Sequence, residues 1–141
     1  MRDLIGWSVC EKHFIKKVEI DLERVESIKK MAIKRFERLK RDKFSEDEIS
    51  FLVEGYYEVI KELLVAYLLK NGLRSQNHQC LISYLYKIHP ELENEIDLIN
   101  QMSFFRNRLG YYGEKVPVEF YDSKKEEFDK IVDVLSYLVN E

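Results

Sequence analysis

The sequence has no threonine, few glutamines and only two cysteines among its 141 residues. Cys10 and Cys80 lie far apart and form no Cys-x-x-Cys motif. A single pair excludes a framework of several disulfides and a cysteine zinc site, and we expect both thiols to be reduced. The absence of threonine and the scarcity of glutamine, beside abundant Lys, Glu, Ile and Tyr, are typical of a heat-adapted proteome.

Long apolar runs are also missing. No run reaches the roughly 18–20 residues that a membrane span requires. The first residues lack the basic, apolar and small-residue succession of a signal peptide. The sequence therefore predicts a soluble, cytoplasmic protein with no membrane partner.

Several signatures of nucleotide and metal sites are absent. There is no P-loop, no dinucleotide fingerprint and no Gly-x-Ser-x-Gly elbow. His13, His78 and His89 do not have the spacing of metal ligands, so we expect no metal and no cofactor. The formal net charge of −3 gives no general attraction to nucleic acid, and any basic site must be local.

What is present is helical periodicity. A chain of this length supports one domain over residues 1–141. Its core is large enough to be stable without a disulfide or a bound metal. No segment alternates with period two for long enough to predict a strand. The pattern predicts an all-α fold, an antiparallel up-and-down bundle of about five helices. The predicted helices cover residues 13–42, 45–70, 80–88, 90–109 and 122–140, after an N-terminal arm or short turn over residues 1–12.

The first two long helices differ in character. The helix over residues 13–42 has one apolar stripe, and its basic run over residues 29–41 is interpreted as a solvated face interleaved with Glu26 and Glu37. The next helix starts at a capping box, Ser45 with Glu48, and stops at Asn71-Gly72. It has apolar residues on two sides, which predicts a central position. Its carboxylates Glu54, Glu58 and Glu62 are expected to pair with arginines of the fourth helix.

The stretch from Phe104 to Gly113 is the most informative part of the chain. Pro90 begins its helix, and Gly110 and Gly113 are expected to end it. At 100° per residue Arg106 lies near the middle of the apolar face, while Arg108 points away. A buried guanidinium requires a carboxylate, a water-filled groove or an anionic ligand. The alternatives are a phosphate site with the nearby phenols, or an arginine paired within the fold or across a dimer, for which Glu95 is a candidate.

Three segments occur in a specific order: Tyr56-Tyr57-Glu58 through Leu63-Leu64, then Gly72 with Ser75-Gln76-Asn77-His78, and finally Arg106-Asn107-Arg108-Leu109-Gly110-Tyr111-Tyr112-Gly113. In this order they resemble the HEPN superfamily of small helical domains. The chain looks especially like an archaeal branch with an Arg-Asn-x-x-x-Tyr-Tyr-Gly ending. The resemblance spans residues 14–140.

The resemblance implies a homodimer in which two arginine-bearing helix ends meet across a cleft. Active family members are metal-independent ribonucleases, often toxins paired with a nucleotidyltransferase antitoxin. Carried over, Arg106 would hold the scissile phosphate and Asn107 is the polar residue that follows it. The family histidine is replaced here by Tyr111 or Tyr112, whose phenol has a pKa about 3.5 units above that of imidazole. Arg108, Tyr112, His78 and Glu58 are the further candidates for ligand binding.

Three functions therefore stay open. The first is a dimeric module that binds RNA or a nucleotide at an Arg106/Tyr111 cleft, with weak or no cleavage. The second is a metal-independent ribonuclease of the toxin–antitoxin type, in which Tyr111 or His78 replaces the family histidine. The third is a structural domain that docks a nucleotidyltransferase.

Overall fold

The computed structural model describes residues 4–141, and helix accounts for 79% of it. The helices are α1 (Trp7–His13), α2 (Leu22–Arg41), α3 (Ile49–Lys70), α4 (His78–Ile88), α5 (Glu93–Tyr112) and α6 (Val118–Asn140). Two short strands, β1 (Ile15–Lys17) and β2 (Leu73–Ser75), form one antiparallel ladder. Turns of 3₁₀-helix over Glu46–Glu48 and Pro90–Leu92 precede α3 and α5. The predicted all-α helical bundle is confirmed.

Helix α3 is the centre of the bundle, as its two apolar sides predict. It contacts α2, α4, α5 and α6, and most of its residues are buried. Val59, Ile60 and Leu63 are fully inaccessible to solvent. They belong to one hydrophobic core, to which α6 contributes Phe128 and Ile131. Among the helices of residues 4–141, none is long and apolar enough to cross a membrane.

The predicted helix over residues 13–42 is wrong in its first part. Residues 15–17 form β1, and α2 begins only at Leu22, where Asp21 accepts a hydrogen bond from the Arg24 amide at 3.1 Å. The strand exists because β2, far along the chain, supplies its hydrogen-bonding partners. A three-residue strand has too little periodicity to be recognised in a sequence.

Cys10 and Cys80 form a disulfide, so the expectation of reduced thiols is wrong. Helix α1 packs on α4 and brings the two Cα atoms to 5.6 Å, a separation that a disulfide spans. The bond joins residues 70 positions apart. Of the arm predicted over residues 1–12, residues 1–3 lie outside the described residues, and Trp7–His13 form α1.

Most helix ends lie where the capping residues and glycines of the sequence predict them. The capping box of Ser45 and Glu48 is confirmed, and the chain leaves α3 at Gly72 with a positive φ of 75°. Gly113, with φ of 64°, ends α5, whereas Gly110 lies inside the helix instead of at its end.

The last helix begins earlier than the predicted Asp122 or Ser123. Helix α6 starts at Val118, directly after Pro117, whose fixed φ suits the residue that precedes a helix. The connector before it is fixed in place because the Val116 amide donates to the buried Ser50 Oγ at 2.8 Å. This hydrogen bond attaches the segment after α5 to the first turn of α3.

Candidate functional site

Arg106 lies half-buried on the side of α5 that faces α3. Its neighbour there is Tyr57, which is 2% exposed and hydrogen-bonded to the buried Ser103. Burial raises the pKa of the Tyr57 phenol, while the Ser103 hydrogen bond and the charge of Arg106 act in the opposite direction. The position of Arg106 on the apolar side of its helix therefore agrees with the periodicity of the sequence.

His78 comes close to the same arginine from another helix. It is the first residue of α4, directly after Asn77, whose side chain accepts hydrogen bonds from the Gln79 and Cys80 amides. Partial burial lowers the pKa of the His78 imidazole, and the charges of Lys61 and Arg106 lower it further. The imidazole is therefore mostly uncharged at neutral pH and can accept a proton.

Lys61 is a member of this site that the sequence did not single out. Its Nζ lies 2.5 Å from Glu58 Oε1, three residues earlier on α3, and both side chains are largely buried. The charges of Lys61 and Arg106 both reach His78, and Glu58 opposes them. One carboxylate thus faces two cations, which leaves a net positive site. The i,i+3 spacing from Glu58 was the only sign of Lys61 in the sequence.

The carboxylates of α3 do not pair with the arginines of α5 as predicted. Glu62 lies 3.3 Å from Arg35 of α2, and Glu58 is paired with Lys61. Glu62 and Glu58 are four residues apart and lie on the same face of α3, and Glu62 pairs with α2 because Arg35 reaches it from that helix. Burial raises the pKa of Glu62, and Arg35 opposes that rise.

Arg106 has no carboxylate in an ion pair among residues 4–141. Glu95, the partner that the sequence suggested, is half-buried on the same helix and does not fill this role. No ion pair therefore offsets the guanidinium at this half-buried position near Tyr57 and His78.

The other candidates of α5 lie on its outer side. Arg108 is bound by both carboxylate oxygens of Glu114, with 2.9 Å between its Nε and Oε2, and its guanidinium lies 4.5 Å from the centre of the Tyr112 ring. Tyr111 is 78% exposed, and Asn107 is exposed as well. These four residues form a surface that is distinct from the Arg106 site.

Helix geometry explains why one motif is divided in this way. Arg106 and Tyr111 are five residues apart, which rotates their side chains by about 140° about the helix axis. Tyr111 instead shares a stripe with Phe104, seven residues earlier and 58% exposed. Within one protomer, the structure brings His78 and Glu58 to Arg106 and leaves Tyr111 apart from it.

The described residues contain no cluster of three or more His, Cys, Asp or Glu side chains placed to hold a metal ion. The site thus contains a guanidinium, an ammonium paired with one carboxylate, an imidazole and a phenol, with one positive charge in excess. Such donors bind anions, and phosphate above all.

Comparison with known proteins adds no relative: no family model matches the chain, and no curated protein and no solved structure is significantly similar to it.

Proposed function

We propose that this chain is a HEPN-like module that forms a homodimer and binds RNA or a nucleotide at Arg106, with little or no cleavage. The observation that carries the proposal is the half-buried guanidinium of Arg106, which has no carboxylate in an ion pair among the described residues and whose charge acts on His78 together with that of a second cation, Lys61. Keeping such a charge away from bulk water is unfavourable unless an anion binds there.

A phosphate group matches what this site offers. Arg106 can donate two parallel hydrogen bonds to phosphate oxygens, and Lys61 adds a point charge. Tyr57 is only 2% exposed, so it is not available to contact a ligand. The phosphate of RNA or of a nucleotide would offset the charge of both cations.

Binding of a labelled RNA by the Arg106→Ala variant tests this proposal. Loss of a hydrogen bond to a charged group costs about 1.5–3 kcal/mol, so the affinity should fall at least about tenfold. Arg41→Ala, which removes an equal charge from the exposed end of α2, is the matched control and should bind as the unaltered protein does. Equal affinity of both variants, with circular dichroism unchanged, would refute the proposal.

The homodimer is supported by the aromatic stripe of α5. Phe104, Tyr111 and Tyr112 are all more than half exposed. A two-fold axis beside this stripe would place it against itself, so that the three aromatic side chains would lie in the dimer interface. Light scattering after gel filtration should give twice the monomer mass, and Phe104→Glu should give the monomer. Met31→Glu, on the exposed face of α2, is the control.

A ribonuclease is the second candidate, and the position of His78 favours it. Burial and then the charges of Lys61 and Arg106 lower the pKa of its imidazole, so His78 and Arg106 lie in the same region of the molecule. The imidazole would take the proton of the ribose 2′-hydroxyl and the 2′ oxygen would attack phosphorus. The bond from phosphorus to the 5′ oxygen would then break, and that oxygen would take a proton from water or from the imidazolium. Arg106 would stabilise the negative charge that develops on the phosphate oxygens.

RNA incubated with the protein in EDTA separates the two candidates. Cleavage that disappears in both His78→Ala and Arg106→Ala, and persists in Tyr111→Phe, would make the protein a ribonuclease with His78 as its base. Loss of cleavage in Tyr111→Phe alone would assign that role to the tyrosine. Binding without cleavage would leave the first proposal standing.

We also assign the protein to the cytoplasm of a heat-adapted organism. A disulfide is typical of oxidising compartments, but intracellular proteins of hyperthermophiles are rich in disulfides. The Cys10–Cys80 bond and the composition are consistent with that setting. Labelling of free thiols in a lysate made under acid quench would distinguish a bond formed in the cell from one formed after lysis.

A further inference from the structure

A groove beside the small sheet carries a second basic surface. It has a volume of about 280 Å³ and lies between the end of α1 and the strands β1 and β2. Its charged and titratable lining residues are Lys12, His13, Lys16 and Arg74, and no aspartate or glutamate lines it. The protein as a whole is acidic, so this concentration of cations is local.

Two of these cations are held opposite one another. Lys16 of β1 and Arg74 of β2 are direct partners in the antiparallel ladder. Like charges at opposed positions of a ladder destabilise it. Neither residue has a carboxylate in an ion pair within the described chain. An anion bound between the two side chains would offset this repulsion and so stabilise the short strand pair.

The groove also offers a platform for a base. Phe14 lines it and is 42% exposed, with its ring against that of His13. An exposed aromatic ring in a basic groove is the combination that single-stranded nucleic acid uses, because bases of any sequence can stack on it.

The groove reaches the candidate site through the start of α4. Asn77 lines the groove and caps α4, and the next residue, His78, belongs to the Arg106 site. The positive end of the α4 dipole lies at this junction. The groove that contains Arg74 thus ends at Asn77, one residue before the His78 of the Arg106 site.

From this arrangement we infer that the groove between α1 and the β1–β2 ladder binds the backbone of single-stranded RNA next to the nucleotide held at Arg106. The inference rests on the proposed function, since it extends the same ligand beyond the first site. The Cys10–Cys80 bond contributes by holding α1, and with it Lys12 and His13, against α4.

The test compares two ligands and two paired substitutions. Fluorescence anisotropy is measured with a labelled single-stranded RNA of about twelve nucleotides and with a labelled mononucleotide, each over a range of salt concentration. The groove variant is Lys16→Ala/Arg74→Ala. The matched control is Lys30→Ala/Lys34→Ala, which removes two exposed charges from α2.

The groove variant should bind the longer RNA roughly tenfold more weakly, and the slope of log affinity against log salt should be shallower by about 1.4, or 0.7 for each lost phosphate contact. Its affinity for the mononucleotide should not change. The α2 variant should match the unaltered protein with both ligands. The melting temperature of the groove variant should stay equal or rise, because the repulsion across the ladder is gone.

Separate results overturn the two proposals. An unchanged affinity and salt slope of the groove variant for the longer RNA would overturn this inference, even if Arg106→Ala weakens binding. A loss in the groove variant without any loss in Arg106→Ala would instead overturn the proposed site at Arg106. If the α2 variant loses as much affinity for the longer RNA as the groove variant, the effect depends only on overall charge. That result would also overturn the inference about the groove.

Discussion

Arg106 of α5 and His78 of α4 lie close enough that the charge of the arginine depresses the pKa of the imidazole. The two residues come from separate helices and meet because both helices pack on α3. This relationship gives the site an anion-binding group and a neutral base, and it is the basis of the first prediction.

The first prediction concerns the titration of His78. Burial and the nearby cations lower the pKa of His78 below 6.5, so its ring should lose its proton at a lower pH than that of a free histidine. Arg106→Ala removes one of the cations and should raise the pKa. Proton NMR of the ring across the pH range measures both values.

Arg108→Ala is the control for that experiment. Arg108 is on the same helix but is paired with Glu114 on the outer side. Its loss should leave the His78 titration unchanged. A shift as large as that of Arg106→Ala would show that the imidazole responds to overall charge and not to its neighbour.

The second prediction concerns the disulfide. Closing a loop of 70 residues should stabilise the fold by about 4 kcal/mol in the chain-entropy model. Cys10→Ser/Cys80→Ser should therefore lower the melting temperature by roughly 10 °C. Calorimetry with and without dithiothreitol measures the effect.

The double variant also supplies the internal control for the disulfide. The reductant should lower the melting temperature of the unaltered protein and leave that of the serine variant unchanged. If the unaltered protein melts at the temperature of the serine variant without the reductant as well as with it, the bond does not form in solution.

The third prediction concerns two glycines near the end of α5. Replacing each with alanine should change the free energy of unfolding in opposite directions. Gly110 lies inside α5 with open space where a Cβ would be, so Gly110→Ala should stabilise the protein by about 0.5–1 kcal/mol. Gly113 has φ of 64°, and Gly113→Ala should destabilise it by about 1–2 kcal/mol. Urea unfolding of both variants measures the change in the free energy of unfolding. A change of the same sign at both positions would contradict the helix end described here.

The fourth prediction concerns two serines. Ser50 Oγ accepts a hydrogen bond from the buried amide of Val116. Because that amide would lose its partner, Ser50→Ala should lower the free energy of unfolding by about 1–3 kcal/mol. Ser136 Oγ is buried without a hydrogen-bond partner in the described structure, and Ser136→Ala should be neutral or stabilising. Urea unfolding measures the stability of both variants. If Ser50→Ala and Ser136→Ala lower the free energy of unfolding equally, the connector before α6 is not fixed by Ser50.

Part of the candidate site could be predicted from the sequence. The periodicity of one helix is enough to place Arg106 on the inner side of α5, because side-chain direction within a helix depends only on spacing. Tyr111 was grouped with it because the two are near in the chain, but five residues of helix turn them apart. A shared cleft for these two side chains stays a prediction that requires a second copy of the chain.

The sequence by itself determined the features that depend on neighbours a few residues away. The capping box of Ser45 and Glu48, the stop of α3 at Gly72 and the buried stripe of α6 all follow from such local patterns. Only the tertiary structure decided the pairing of β1 with β2, the bond between Cys10 and Cys80 and the approach of His78 to Arg106. Each joins residues that are distant in the chain, and packing on α3, not any local preference, brings them together.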